Sequence, residues 1–501
     1  MVPVPDKDKQ FHKREIKAMD KSHRGSTLSN LLWRFLERFG AQLVTFVLSI
    51  VLARILDPEL FGKVALITVF ITILQVIADS GLGSALIQKK DADDLDFSSV
   101  FIFNLVFSVV AFTVMFFAAP VLDLIFDMGD IVWPVRVLSI VLILSGVKNV
   151  QIAHITRQMK FKLFFFSTLG GTIVSAAVGI MLALNGYGIW ALVMQMVVNN
   201  GIDMIILWIL SGFRPKLRFD FGRLKVLYSY GWKLLLSSLL DNIYNEFVKL
   251  FVGLKFAESS LAFYNQGAKV PEFIFSNFNS AMDGVLFPSL AKSQSDKDTV
   301  KRMARRSLKT GMYIMLPIMT GLAVCAGPLV TVFLTEKWLP AVIYMRLFCI
   351  AFAFYPVHTA NLNVMKALGR SELILVLELI KKGLGIVLLI LALMISPVAV
   401  AVSAVIDSVL CIFVNASPNR NLIDYGFLSQ LKDIIPYILL SAVMGGTVYL
   451  AGLIPVTDGI KLLIQIPAGI IVYIGLSEVL HIECYNYLKS AIKELFAHGK
   501  N

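Results

Sequence analysis

The sequence predicts an all-α polytopic membrane protein with about fourteen transmembrane helices, and three observations predict it. Of 501 residues, 57% are hydrophobic and only 16% charged, with a mean hydropathy of +0.76, which leaves a soluble globule too little polar surface. The apolar residues form continuous runs of about 20, the helix length that crosses the hydrocarbon core, without the alternation of a membrane barrel. Lys and Arg gather in alternate connecting segments, the asymmetry that keeps cations on the cytoplasmic side.

The runs lie near 29–53, 62–86, 98–119, 133–154, 164–184, 187–210, 227–254, 260–286, 310–334, 339–365, 373–395, 398–416, 432–452 and 461–480. Residues 1–28 are highly charged and no short apolar run ends in a small-residue cleavage site, so the first run is expected to act as an uncleaved signal-anchor. With the amino terminus inside, one side collects Lys89 and Lys90, then Arg157, Lys160 and Lys162, then Arg214, Lys216, Arg218, Arg223 and Lys225, then the series from Lys292 to Lys309. The opposite loops are poor in cations: 120–131 and 184–188 have none. Both termini are therefore expected in the cytoplasm. The net charge of +12 follows from this bias and from nearby anionic headgroups, so nucleic-acid binding is not implied.

The chain reads as a parallel repeat. Six runs precede the basic linker 213–226 and six follow it, and an even number of spans returns the second copy in the first one's orientation. The expected organisation is a cytoplasmic basic tail (1–28), an N-terminal six-helix lobe (29–212), the linker (213–226), a C-terminal six-helix lobe (227–416), an additional helix pair (417–482) and a cytoplasmic tail (483–501). Aligning Trp33 with Trp232 places Lys233 opposite Arg34, Ser237 opposite Arg38 and Asp241 opposite Gln42.

Polar residues inside the runs are distributed as stripes. In the first run Arg34, Arg38, Gln42, Thr45 and Ser49 recur at helical spacing, and in the second Thr68, Thr72, Gln75 and Asp79 do. The seventh carries Asp241, Asn242, Asn245, Glu246 and Lys249, and the eighth Asn265, Lys269, Glu272, Ser276, Ser280 and Asp283. An ionisable group in hydrocarbon costs at least roughly 2.5 to 3.5 kcal/mol, so these faces are expected to turn toward one another or toward water, as walls of a central cavity. The plainer readings are helix-to-helix glue for Thr45, Ser49, Thr68 and Thr72, snorkelling or a local pair with Glu37 for Arg34 and Arg38, and an internal pair such as Asp241 or Asn245 with Lys249. Asp79 precedes Ser80-Gly81-Leu82-Gly83, a helix break.

Chemistry on the chain itself is not indicated. Cys325, Cys349, Cys411 and Cys484 are scattered, with no disulfide framework or CxxC pair, and the histidines form no ligand set. No phosphate-binding glycine-rich motif occurs, so neither a metal nor a nucleotide cofactor is expected. The longest external loop, near 120–131, is too short to build an acid/base site, which argues against an integral membrane glycan polymerase or glycosyltransferase.

Residues 52–62 (LARILDPELFG), 79–90 (DSGLGSALIQKK), 285–294 (VLFPSLAKSQ) and 333–340 (FLTEKWLP) resemble signatures of bacterial polysaccharide-export flippases. These are the Wzx-type members of the multidrug, oligosaccharidyl-lipid and polysaccharide exporter superfamily, nearest the colanic and teichuronic acid exporter branch. The resemblance covers most of 28–416. It implies two lobes around a cavity lined by helices one, two, seven and eight, a place in the bacterial cytoplasmic membrane, and movement of undecaprenyl-diphosphate-linked oligosaccharides for surface polysaccharide biosynthesis. A coupling cation (H+ or Na+) and polymerase or export machinery as partners are implied with it. Under this resemblance Arg34, Arg38, Lys233 and Lys249 become candidate diphosphate contacts. Gln42, Asp241, Asn245, Glu246, Lys269 and Asp283 become candidates for sugar contact or cation coupling, and Gly81, Gly83 and Pro271 for gate hinges. A drug or organic-cation antiporter of the same superfamily is the competing reading. Its cavity would be lined mainly with carboxylates, whereas acids and bases are mixed here.

Overall fold

A computed structural model describes residues 40, 42–79, 81–89, 91–126, 128–158 and 160–498, and among these the regular structure is helical throughout. The helices are α1 (Gln42–Ile55), α2 (Pro58–Asp79), α3 (Leu82–Gln88), α4 (Asp94–Phe126), α5 (Val132–Leu138), α6 (Ile140–Arg157), α7 (Phe161–Leu184), α8 (Ile189–Ser211) and α9 (Phe221–Lys255). There follow α10 (Glu258–Lys292), α11 (Lys297–Val324), α12 (Ala326–Phe333), α13 (Ala341–Ala353), α14 (Tyr355–Ala367), α15 (Ser371–Leu393), α16 (Pro397–Ile423), α17 (Phe427–Gly452), α18 (Asp458–Val479) and α19 (Glu483–His498). Within the described residues each of the apolar runs coincides with a helix or a broken pair, so this is a multi-pass membrane protein. Among the described residues, 10 spans are long and apolar enough to cross a membrane. The other runs fall on α1, α9, α10 and α15; the last three carry charges within the span, the signature of helices that do not face lipid on every side.

Two compact units pack separately, Met1–Leu250 and Phe251–Asn501. In the first, α7 and α8 lie closest together because Gly171, Ser175 and Gly179 repeat every fourth residue and present no bulk. A methyl group on Gly171 would sit 2.9 Å from the Asn199 carbonyl oxygen, and one on Gly179 3.0 Å from Gln195 Cβ. Small residues at this spacing let helix backbones approach without water to drive them together. α9 joins the first unit through Leu224 and Leu227, each 3% exposed, which enter a cluster with Leu82, Leu86, Phe97 and Val150.

The break between α2 and α3 rests on Gly81, whose φ of +68° is costly for any residue bearing a Cβ. A methyl group there would also lie 2.3 Å from the Gly231 carbonyl oxygen in α9. Gly81→Ala is accordingly expected to cost more than about 1 kcal/mol, read as a lower thermal midpoint in detergent. Gly83, in the first turn of α3, has only ordinary contact with Asp79 Oδ1 at 3.7 Å, and Gly83→Ala should leave that midpoint unchanged or slightly raised. Equal effects of the two substitutions would show that the turn is not held by the backbone of Gly81.

The second unit has one large apolar cluster that runs from Leu286 and Leu290 through α11 and α14 to Tyr437, Leu440 and Tyr473 of the last helix pair. That pair is therefore part of the second unit's core. One end of it is clasped by one face of α11. Arg305 donates two bonds of 2.7 Å to the Asp433 carboxylate, which also accepts from the Tyr425 hydroxyl at 2.7 Å. Arg306 lies 3.6 Å over the Tyr487 ring, and Lys309 pairs with Glu483, whose carboxyl that hydrogen bond holds below its ordinary range. One turn further, Tyr313 donates to Ser477 Oγ at 3.0 Å and accepts from the Tyr473 hydroxyl at its carbonyl.

Candidate functional site

In the first unit the polar residues of α2 are met by α6. Gln75 donates to Ser145 Oγ at 2.8 Å, and Asn149 Nδ2 donates to Asp79 Oδ1 at 3.1 Å. The residue between these contacts, Lys148, turns to α8, where Nζ lies 2.9 Å from Asp203 Oδ2 and donates to Asn200 Oδ1 at 3.4 Å. Lys148 and Asp203 are 16% and 14% exposed, so a nearly buried ion pair joins two spans. Sequence reasoning missed it, although Lys148, one of two cations in the run 133–154, and Asp203, the one anion in the run 187–210, were the available signal.

The expected site residues are distributed unevenly. Arg34 and Arg38 lie outside the described residues. Gln42 is exposed near the start of α1. Lys233, Asp241 and Asn245 belong to α9, but their side chains are outside the described set. Further along that helix, Glu246 accepts a 2.8 Å bond from Lys249 and is 8% exposed. An ion pair on one helix face thus involves Lys249, with Glu246 as its partner. Pro271 is buried within a continuous α10, and Lys269 is half-buried two residues before it, with Glu272 the residue after it.

In the second unit α10 is two-faced. Asn265, Lys269, Glu272, Ser276, Ser280 and Asp283 all fall within roughly 80° of one another on its surface at about 100° per residue. Ile274 lies on the opposite side, where it helps line an apolar groove of about 480 Å³ with Gly321, Leu329, Met444, Gly469 and Tyr473. The groove's amide side chain, Gln465, is turned away to donate to the Val448 carbonyl at 3.0 Å. Small residues make the space: nothing but Met444 Cε, at 4.0 Å, approaches where Gly321 would carry a Cβ.

Asp283, at the C-terminal end of the polar face, accepts from Asn363 Nδ2 at 2.5 Å and from Asn279 Nδ2 at 3.5 Å. Asn279 in turn accepts from Thr359. Beyond α14 the network is buried: Asn361 and Gln430 exchange two amide bonds of 2.8 Å, and Asn419 Nδ2 donates to Asn361 Oδ1 at 2.6 Å. All three are 3% exposed or less. Such amides, bonded side chain to side chain with the Asn419 side-chain carbonyl oxygen left over, fix the register of α14, α16 and α17. They hold Asp283 through α14, and no spacing rule in the sequence pointed to them.

The edge of the first unit where α3, α4 and α9 begin or end carries a second charged cluster. Asp96, fully buried, pairs with Lys89 at 2.7 Å. The Asp96 amide and then the Arg223 guanidinium, at 2.6 Å, hold the exposed Asp93 carboxyl below its usual range, and Asp93 raises Arg223 in return. Among the described residues no group of His, Cys, Asp and Glu is arranged to hold a metal ion. In this cluster Lys89, Asp93, Asp96 and Arg223 pair with one another.

Residues 51–343, more than half of the chain, match the sequence family described as polysaccharide biosynthesis protein. The chain is similar to the succinoglycan biosynthesis transport protein ExoT of Rhizobium meliloti (strain 1021), with 26% identity over 62% of this chain and 63% of the relative. It is similar also to the teichuronic acid biosynthesis protein TuaB of Bacillus subtilis (strain 168), with 23% identity over 60% of this chain and 62% of that one. The matched stretch thus spans less than two thirds of these relatives' own lengths. Among solved structures the fold is shared with the lipid II flippase MurJ in an inward closed conformation, at a TM-score of 0.75 and 16% identity over 90% of this chain and 99% of that one. It is shared less closely with an inward-facing multidrug resistance MATE family transporter of the MOP superfamily, at a TM-score of 0.58 and 15% identity over 79% and 95%.

Proposed function

The chain belongs to the polysaccharide biosynthesis protein family, and we propose that it is a non-enzymatic flippase for polyprenyl-diphosphate-linked oligosaccharides. The observation that carries this reading is the two-faced α10, polar from Asn265 to Asp283 and facing an apolar groove at Ile274. A lipid-linked sugar has the same division. Its polyprenyl tail suits the groove, at about 25 cal/mol per Å² of apolar surface removed from water. Its diphosphate needs charge-assisted donors, and its sugar hydroxyls need amides and carboxylates. The relatives named for succinoglycan transport and teichuronic acid biosynthesis support a surface polysaccharide as the product.

In this reading Arg34 and Arg38 receive the diphosphate at the cytoplasmic entrance, and Lys233 and Lys249 contact it further along. Asp241, Asn245, Glu246 and Asp283 serve the sugars or a coupling cation, H+ or Na+, and Lys269 contacts the substrate; Gly81 and Pro271 are where helices bend during alternating access. The protein works in the bacterial cytoplasmic membrane with both termini inside, and delivers its cargo to a polymerase or export machinery.

The test is translocation in proteoliposomes. An undecaprenyl-diphosphate-linked oligosaccharide loaded on one leaflet should become accessible to a sugar oxidase on the other side only when the protein is present. Efflux of a cationic dye without sugar translocation would replace this reading by that of a multidrug antiporter. Removing Lys249 alone would strand the buried Glu246, so the informative variant is Glu246→Gln/Lys249→Ala. It is expected to translocate at least about tenfold more slowly, equivalent to about 1.4 kcal/mol, at unchanged membrane level. Translocation at the parent rate would remove Lys249 from the list of anion contacts.

A further inference from the structure

The segment that joins α8 to α9 is built to meet a surface. Leu217 is 86% exposed, Phe219 48% and Phe221 68%, and between and beyond them stand the exposed cations Lys216, Arg218 and Lys225. The backbone beneath these side chains is pinned. The amides of Lys216 and Asp220 donate at 3.0 Å to the hydroxyls of Ser98 and Ser99, which are 1% and 0% exposed. The Phe213 ring stacks on His154 at 4.4 Å, Arg223 is tied to Asp93 at 2.6 Å, and Leu224 and Leu227 are sunk in the core. With both ends fixed, Leu217, Phe219 and Phe221 cannot turn inward.

Position and charge identify what they meet. α8 ends at Ser211 after crossing the membrane and α9 begins at Phe221, so the connection is too short to leave the level of the headgroups. Large apolar side chains at that level gain roughly 1.5 to 3 kcal/mol each on full burial, and aromatic residues favour the interface. Among the described residues Arg218 and Lys225 have no acidic partner, and Lys216 approaches one only at 3.8 Å, from the exposed Asp94. We propose that the 212–226 linker is an interfacial anchor selective for anionic phospholipid. Leu217, Phe219 and Phe221 enter the boundary between headgroups and acyl chains, and Lys216, Arg218 and Lys225 hold lipid phosphates above them. Because the linker is bolted to α4 through Ser98 and Ser99, anionic lipid fastens the cytoplasmic edge of the first unit to the membrane whatever cargo is carried.

The experiment uses the full chain with a fluorophore on Leu217→Cys, the native cysteines being buried, in vesicles that contain either brominated phosphatidylglycerol or brominated phosphatidylcholine. Both lipids should quench the fluorophore, the anionic one preferentially. At about 1 kcal/mol per basic residue near an anionic surface, Arg218→Gln/Lys225→Gln should reduce that preference roughly thirtyfold, while Arg218→Lys/Lys225→Arg should retain it. Equal quenching by the two lipids in the parent chain would overturn the selectivity. Quenching by neither would place the segment in water or under a soluble protein, and would overturn the anchor altogether.

Discussion

Lys148→Met is expected to be among the most damaging single substitutions in the first unit. It leaves the Asp203 carboxylate, 14% exposed, without its counter-ion between α6 and α8. Removing one partner of a buried pair typically costs about 3 to 5 kcal/mol, whereas replacing both by apolar residues is often close to neutral. The thermal midpoint of the purified protein should therefore fall steeply in Lys148→Met and recover in Lys148→Met/Asp203→Leu. A single variant as stable as its parent would mean that Asp203 reaches water by another route. If the recovered double variant folds but no longer translocates, the pair also serves transport, since packing alone would have been restored.

The largest effect on transport without loss of fold is expected from Gly321→Phe. The new ring enters the 480 Å³ groove between α11, α17 and α18, and its Cβ meets only the flexible end of Met444 at 4.0 Å. If the groove holds the polyprenyl tail, translocation should fall by at least about tenfold, or 1.4 kcal/mol, with the thermal midpoint unchanged, and Gly321→Ala should behave as the parent. Parent-like transport by a folded Gly321→Phe would separate the groove from the cargo's path.

Much of the fold was legible because a bilayer imposes simple demands. Every backbone donor in hydrocarbon must be satisfied within its own helix, so continuous apolar runs near 98–119 or 398–416 could only be spanning helices. The break at Gly81 was legible for a related reason: glycine-rich residues after Asp79 have no other use inside an apolar run. The two-faced character of α10 was half legible. Its polar face repeats at helical spacing, but nothing in Ile274, Gly321 and Gly469, far apart in sequence, announces that they enclose a groove.

Pairing was the least legible. The identity of Lys249's partner depended on side-chain placement: Asp241 or Asn245 was the expected partner, and the bond goes to Glu246. Lys148 and Asp203, 55 positions apart, look like isolated charges until α6 and α8 are packed. The same holds for Asn361, Gln430 and Asn419, whose amides could each have faced lipid, water or one another.

By itself the sequence determined the class, the helices and their order, since each follows from the local cost of exposing backbone or charge to hydrocarbon. The tertiary structure alone decided which charges neutralise one another, that the last helix pair shares the second unit's core, and that an apolar groove lies opposite the polar face of α10. Those outcomes depend on the approach of helices distant in the chain, where burial makes an unpaired polar group costly and small residues permit contact. No local pattern encodes that distance.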